Sequence, residues 1–120
     1  MIELSLIEIR REPYKTTLNP STHIWYRAFY EEKEIGHLLL IPDYEHHILV
    51  SAFWVKSKFR NCGVGTILIK KAQLIAKRRK KDLMLLPMPE EGKRQDLLRF
   101  YKRNGFKWGK KNWDQMVWNV

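Results

Sequence analysis

The sequence predicts an α+β fold, a single-domain sandwich around a mixed sheet, and three observations carry that prediction. Apolar runs of strand length fill most of the first 55 residues. A helical apolar period takes over after Gly63, and a second helical stretch ending at Asn104-Gly105 is followed by aromatic, strand-like segments. A chain of 120 residues, 44% hydrophobic and with five each of Trp, Tyr and Phe, suffices for one buried core. No repeat, low-complexity tract or Gly/Ser linker divides it, so residues 1–120 are expected to form one domain.

Ile2 to Arg10 alternates loosely and is bounded by Glu12-Pro13, which predicts a first strand. Thr16 to Thr22, with Asn19-Pro20-Ser21, reads as a loop or short turn. Ile24 to Tyr30 and Ile35 to Ile41 are rich in aromatic and branched side chains and are joined by Glu31-Glu32-Lys33-Glu34, which predicts a hairpin. A turn at Pro42-Asp43-Tyr44-Glu45 leads to Ile48 to Val55, an almost wholly apolar run with the length of a central strand. From Gly63 to about Lys81, Val64, Ile67, Leu68, Ala72, Ile75 and Ala76 recur at helical spacing with lysines opposite. Leu83 to Leu86 is a short strand stopped by Pro87-Met88-Pro89. Lys93 to Arg103 is a second helix with Leu97, Leu98 and Tyr101 on one side, and Asn104-Gly105 supplies its glycine C-cap. Phe106 to Trp108 and Trp113 to Val120 remain as closing strands, the latter with Met116, Trp118 and Val120 on one face.

Composition excludes several classes of function. No apolar stretch approaches the roughly 20 residues that cross a bilayer, and Met1-Ile2-Glu3-Leu4 lacks the basic flank of a secretory signal, so a cytoplasmic protein without a membrane partner is expected. A single cysteine, Cys62, excludes an internal disulfide framework and a cysteine-based zinc site. The net charge of +10 is unevenly placed. Residues 1–55 hold five Lys/Arg against eight Asp/Glu, a net of −3, whereas residues 56–111 hold eighteen against four, a net of +14. The basic half suits nucleic acid, a phosphorylated cofactor or an acidic protein surface equally well. Its run Lys77-Arg78-Arg79-Lys80-Lys81 also suits a solvated helix C-terminus, where the macrodipole is negative.

The chemistry concentrates between Val55 and Thr66, where a buried strand passes into the long helix through two closely spaced glycines, Gly63 and Gly65. Glycines permit backbone conformations closed to other residues and let a ligand approach without a Cβ in the way, while a helix start offers unpaired N–H donors. A pyrophosphate there would meet the amides of Arg60, Asn61, Cys62, Gly63, Val64, Gly65 and Thr66. A plain strand-to-helix turn has the same two glycines, and the spacing alone leaves both readings open. A Rossmann fingerprint would need glycine where Leu68 stands, and a P-loop would need Gly-Lys-Ser/Thr where the chain reads Gly65-Thr66-Ile67.

Arg60-Asn61-Cys62-Gly63-Val64-Gly65 resembles the signature of the GNAT superfamily of N-acetyltransferases: arginine or glutamine, two residues, glycine, one residue, then glycine or alanine. The strand ending at Val55, the helix after the loop and Leu98-Arg99-Phe100-Tyr101-Lys102-Arg103-Asn104-Gly105-Phe106, similar to the family's second hallmark, extend the resemblance over Ile48 to Phe106. It implies a GNAT-like fold with a mostly antiparallel, twisted central sheet flanked by helices. It also implies acetyl-CoA as cosubstrate and direct acetyl transfer to a primary amine, without a metal. Backbone groups of Phe53, Trp54 and Val55 would pair with the pantetheine arm, Arg60 to Thr66 would hold the pyrophosphate, and Tyr101 would protonate the departing thiolate. Cys62 would contribute its amide only.

The sequence departs from the family pattern at several points. Many members carry a glutamate as general base six residues before the strand's final valine, where this chain has Leu49; His47, on the same strand, is the substitute candidate, with water or an already neutral amine as the alternative. Arg94 replaces a frequent asparagine and Leu97 a usual alanine. Only about a dozen residues, Arg11 to Thr22, are available for the helix pair that normally follows the first strand, so those helices are expected to be reduced or absent. The resulting open cleft suits a large acceptor, a protein lysine or N-terminus, as in some very small phage-encoded members of similar plan that modify host defence proteins. Two other readings stand beside the enzyme: a basic nucleic-acid-binding module, and a non-catalytic CoA-binding regulator. Both a monomer and a homodimer fit the sequence.

Overall fold

The computed structural model describes residues 3–13, 23–87, 94–109 and 115–120. One seven-stranded sheet runs in the order β1-β2-β3-β4-β5-β7-β6, built from β1 (Glu8–Glu12), β2 (Ile24–Tyr30), β3 (Lys33–Tyr44), β4 (His47–Val55), β5 (Asp82–Leu85), β6 (Lys107–Trp108) and β7 (Met116–Trp118). Among the described residues only β4 and β5 pair in parallel, joined by the crossover helix α1 (Val64–Arg79). The second helix, α2 (Arg94–Arg103), connects β5 to β6. The sheet is thus mixed and mostly antiparallel, as expected.

The core forms where the periodic face of α1 meets the central strands. Val64, Leu68, Ile69, Ala72, Ile75 and Ala76 are buried against a cluster that includes Ala28, Leu38, Leu40, Ile48 and Leu83. Ile69 takes the buried place expected of Ile67, which is half-buried. All of Leu83, Met84 and Leu85 are buried, as a strand in the interior of a sheet requires. At the C-terminus of α2, Gly105 (φ +89°) lets Phe106 N–H reach Tyr101 O at 3.1 Å and Gly105 N–H reach Lys102 O at 3.0 Å, the C-cap that Asn104-Gly105 predicts.

Local details depart from the sequence reading in three places. The first strand begins only at Glu8, because Glu3 and Leu4 carbonyls accept Leu6 and Ile7 N–H in a 3₁₀ turn over Leu4–Leu6. Strand β3 runs through Pro42 to Tyr44 rather than turning there: pairing skips from Ile41↔Leu49 to Tyr44↔His47, so Pro42, which has no N–H, sits in an irregularity. The hairpin loop is two residues, Glu31-Glu32, since Tyr30 pairs directly with Lys33. The expected loop at Thr16 to Thr22, and with it the question of a helix pair after β1, lies outside the described residues, as do Ile2, Met88-Pro89, Lys93 and Trp113.

Both hairpin-loop residues have positive φ, 51° at Glu31 and 65° at Glu32. This left-handed pair matches the twist of the strands but is costly for residues with a Cβ. The double change Glu31→Asn, Glu32→Gly is expected to stabilise the fold by ~1–2 kcal/mol. The urea midpoint measures it, and an unchanged or lower midpoint contradicts it. The Glu32 pairing with Arg10, at 3.8 Å and with Glu32 exposed, contributes little to offset that gain.

Candidate functional site

The site begins with an interruption of pairing. Strand β4 pairs with β5 from His47↔Asp82 to Val50↔Leu85 and no further, while its pairing with β3 continues to Val55. Ser51 causes the divergence locally: Leu39 faces Ala52 and Leu40 faces Val50, so Ser51 is an extra residue that bends β4. Beyond it, Lys56 N–H donates to Ile35 O and Trp54 O points at β3, 2.9 Å from where a Cβ on Gly36 would lie. By alternation, Phe53 and Val55 turn their main-chain groups to the open side. Arg60 Nε occupies one of them, donating to Val55 O at 3.0 Å. Phe53 is therefore the residue whose N–H and C=O face the gap; Trp54, expected to share that role, faces β3 instead.

The gap is a cleft of about 270 Å³ lined by His37, Val50, Ser51, Ala52, Phe53, Leu85, Leu86, Leu97 and Tyr101. Tyr101 enters it from α2. It is 5% exposed, packs against Phe53, Phe100 and Phe106 at 5.7–6.1 Å between ring centroids, and burial pushes its phenol up to about 12. The phenol thus stays protonated across the physiological range and is available as a donor.

His37 enters from β3 and is not among the residues that the sequence singled out. Its ring lies between Trp25 (4.8 Å) and Trp54 (5.3 Å), and its Nδ1 is 3.5 Å from Glu34 Oε1. Residues three apart on a regular strand point to opposite faces. Ile35 reconciles them, because Ala28 faces Gly36 while Phe29 faces Glu34, leaving Ile35 as a bulge that returns Glu34 to the face of His37. Arg27 fixes Glu34 through two bonds, Nε to Oε1 at 3.3 Å and Nη2 to Oε2 at 3.2 Å, and holds Glu12 on its other side. Burial lowers the His37 pKa; the Glu34 carboxylate opposes that shift without reversing it. The imidazole is therefore mostly neutral at pH 7, with Nδ1 directed at Glu34.

His47, the base candidate of the sequence reading, opens β4 at the opposite end, paired with Tyr44 and Asp82, and does not line the cleft. Its Nδ1 is buried without a partner. The sequence signal for His37 was present but faint: a histidine inside an apolar strand, three residues after a glutamate.

The loop from β4 into α1 is shaped by two left-handed residues, Asn61 (φ 63°) and Gly63 (φ 88°). The first α1 bond is Ile67 N–H to Gly63 O, so the N–H groups of Val64, Gly65 and Thr66 precede the ladder, and no side chain caps them. No acidic residue occupies the first turn, which leaves the positive end of the helix dipole for an anion. The two glycines have different duties. Gly63 is required by its φ, whereas a Cβ on Gly65 would come within 3.2 Å of Phe100 and 3.3 Å of Phe53, so its missing side chain is filled by two stacked rings that join loop, β4 and α2. Cys62 Sγ approaches Arg60 O at 3.6 Å. A pyrophosphate fits this uncapped cradle, and an extended amide-containing arm fits the open edge at Phe53.

Among the described residues, no group of three His, Cys, Asp or Glu is placed to hold a metal, and no helix is long and apolar enough to cross a membrane. No curated protein matches the sequence. Solved structures similar to the chain include a GNAT family acetyltransferase from Elizabethkingia anophelis with acetyl-CoA bound (TM-score 0.71, 20% identity, 97% of this chain and 99% of that one). Similar too are the PaiA N-acetyltransferase of Thermoplasma acidophilum in complex with coenzyme A (0.68, 19%, 82% and 62%) and the anti-CRISPR protein AcrVA5 (0.62, 20%, 71% and 90%). The sequence model of the Acetyltransferase (GNAT) family matches residues 3–106, the span that contains the divergent strand, the glycine loop and Tyr101, and the chain belongs to that family.

Proposed function

We propose that the chain moves an acetyl group from acetyl-CoA directly to a primary amine on a protein, a lysine or an N-terminus. The carrying observation is that one cleft, opened where β4 loses β5, is lined by a protonated phenol from the helix layer and a neutral imidazole from β3. The thioester supplies an activated acetyl group when bound. The N–H groups of residues 61–66 would hold the pyrophosphate, and Phe53, whose N–H faces the gap, would donate to the thioester oxygen, where negative charge develops during attack. His37 takes a proton from the incoming amine, Glu34 fixes its tautomer, and Tyr101 gives a proton to the leaving sulfur. Glu34 is thus a positioning residue.

The length of the connection between the first two strands supports a large acceptor. Strands β1 and β2 are joined by residues 13–23 alone, leaving little chain to enclose a small metabolite. The net −3 of residues 1–55, the part of the chain that supplies His37 and Glu34, favours an acceptor amine within a basic segment.

Isotopically labelled acetyl-CoA incubated with basic proteins, basic peptides and small amines tests the reading by mass spectrometry. Label on protein amines is the expected result, and label on small amines alone overturns the macromolecular acceptor. With the preferred acceptor, kcat/KM is expected to show an acidic limb below the usual histidine pKa. His37→Gln should lose that limb together with most of the rate; an unchanged profile removes His37 as the base.

A further inference from the structure

We infer that the outer surface of the two helices is a docking site for a nucleic-acid backbone, separate from the acetyl-transfer cleft. From Val64 to Lys81 the chain carries seven Lys/Arg and no Asp/Glu, and α2 carries four against Asp96 alone. The pyrophosphate site explains none of this at the far end of α1: Lys77 lies fourteen residues beyond Gly63, ~20 Å along the axis.

These charges are arranged as well as numerous. Lys70, Lys71, Lys77 and Arg78 recur at helical spacing on one side of α1, a stripe of ~12 Å. At ~3.4 Å of duplex axis per phosphate on one strand, that stripe matches about four phosphates. Gln73 donates to Asn104 O at 2.7 Å, which ties the middle of α1 to the end of α2. Lys70 and Lys77 stand one turn before and after Gln73, so the stripe runs beside the exposed Lys102 and Arg103. Among the described residues, ion pairs on this surface reach only Lys81, with Asp43, and Arg99, with Asp96. The partner's chemistry follows from what is missing. Leu74 is the one large apolar side chain exposed on these two helices, too little for the apolar centre of a protein interface and irrelevant to a phosphate backbone.

The test is fluorescence anisotropy with labelled duplex DNA, single-stranded RNA and polyglutamate, between 50 and 200 mM salt. For four phosphate contacts the duplex affinity is expected to fall about 150-fold across that range, from a slope of about −0.9 per contact. The triple variant Lys70→Glu, Lys77→Glu, Arg78→Glu should weaken binding at least 10-fold at 50 mM while its stabilisation by acetyl-CoA, read as a Tm shift, is unchanged. Tighter binding of either nucleic acid than of polyglutamate supports the assignment, and the tighter of the two identifies the form. Absence of binding at 50 mM, equal affinity for polyglutamate, or a triple variant that binds as the parent does overturns it.

Discussion

Tyr101→Phe is expected to lower kcat for acetyl transfer by about 10²- to 10⁴-fold while leaving acetyl-CoA stabilisation intact. The substitution removes one oxygen and keeps the ring, and the ring is what the structure uses: it packs among Phe53, Phe100 and Phe106 and helps hold α2 against β4. The hydroxyl is the part to which proton donation is assigned in the proposed reaction. Burial holds its pKa at about 12, so it remains a proton donor across the pH range of the assay, and the coenzyme A thiolate is the base that would receive that proton. The discriminating measurement is kcat against the Tm shift. A variant that binds acetyl-CoA and transfers acetyl at the parent rate removes Tyr101 as general acid.

Gly63→Val is expected to abolish the stabilisation that acetyl-CoA confers, ~2.7 kcal/mol at a hundredfold excess over Kd. A β-branched residue is strained at φ +88°, and its side chain would press on Leu4, whose Cδ1 lies 3.1 Å from the Cβ position. Relaxing that strain turns the N–H groups of the loop away from a common centre. The strain also lowers the stability of the unliganded protein, so the readout is the ligand-induced shift and not the absolute Tm. Gly105→Ala is the control. Gly105 has the same backbone conformation (φ +89°) and a similarly close neighbour, Trp118, but lies at the end of α2, and its variant should keep the acetyl-CoA shift. A full shift in Gly63→Val would show that the loop's conformation is not what holds the ligand.

Much of the candidate site's backbone was legible because its signals are local. Gly63 marks a left-handed residue at a helix start, the apolar period of α1 marks the face that meets the sheet, and Asn104-Gly105 marks the stop that sets Tyr101 in the last turn of α2. The duty of Gly65 was only half legible. The sequence shows a glycine near a possible phosphate, and only the packed molecule shows the rings of Phe53 and Phe100 closing over it.

By itself the sequence determined the order and kind of the elements, the glycine loop and the place of Tyr101 at the end of the second helix, since turn chemistry, helical period and capping act between residues close in the chain. Tertiary structure decided which histidine lines the cleft. One extra residue in a strand reverses the face of every side chain beyond it, and the bulges at Ile35 and Ser51 carry no mark that a single sequence displays. Those two bulges bring Glu34 to His37 and part β4 from β5, so the cleft exists through strand register, a property of paired strands that neither strand holds alone.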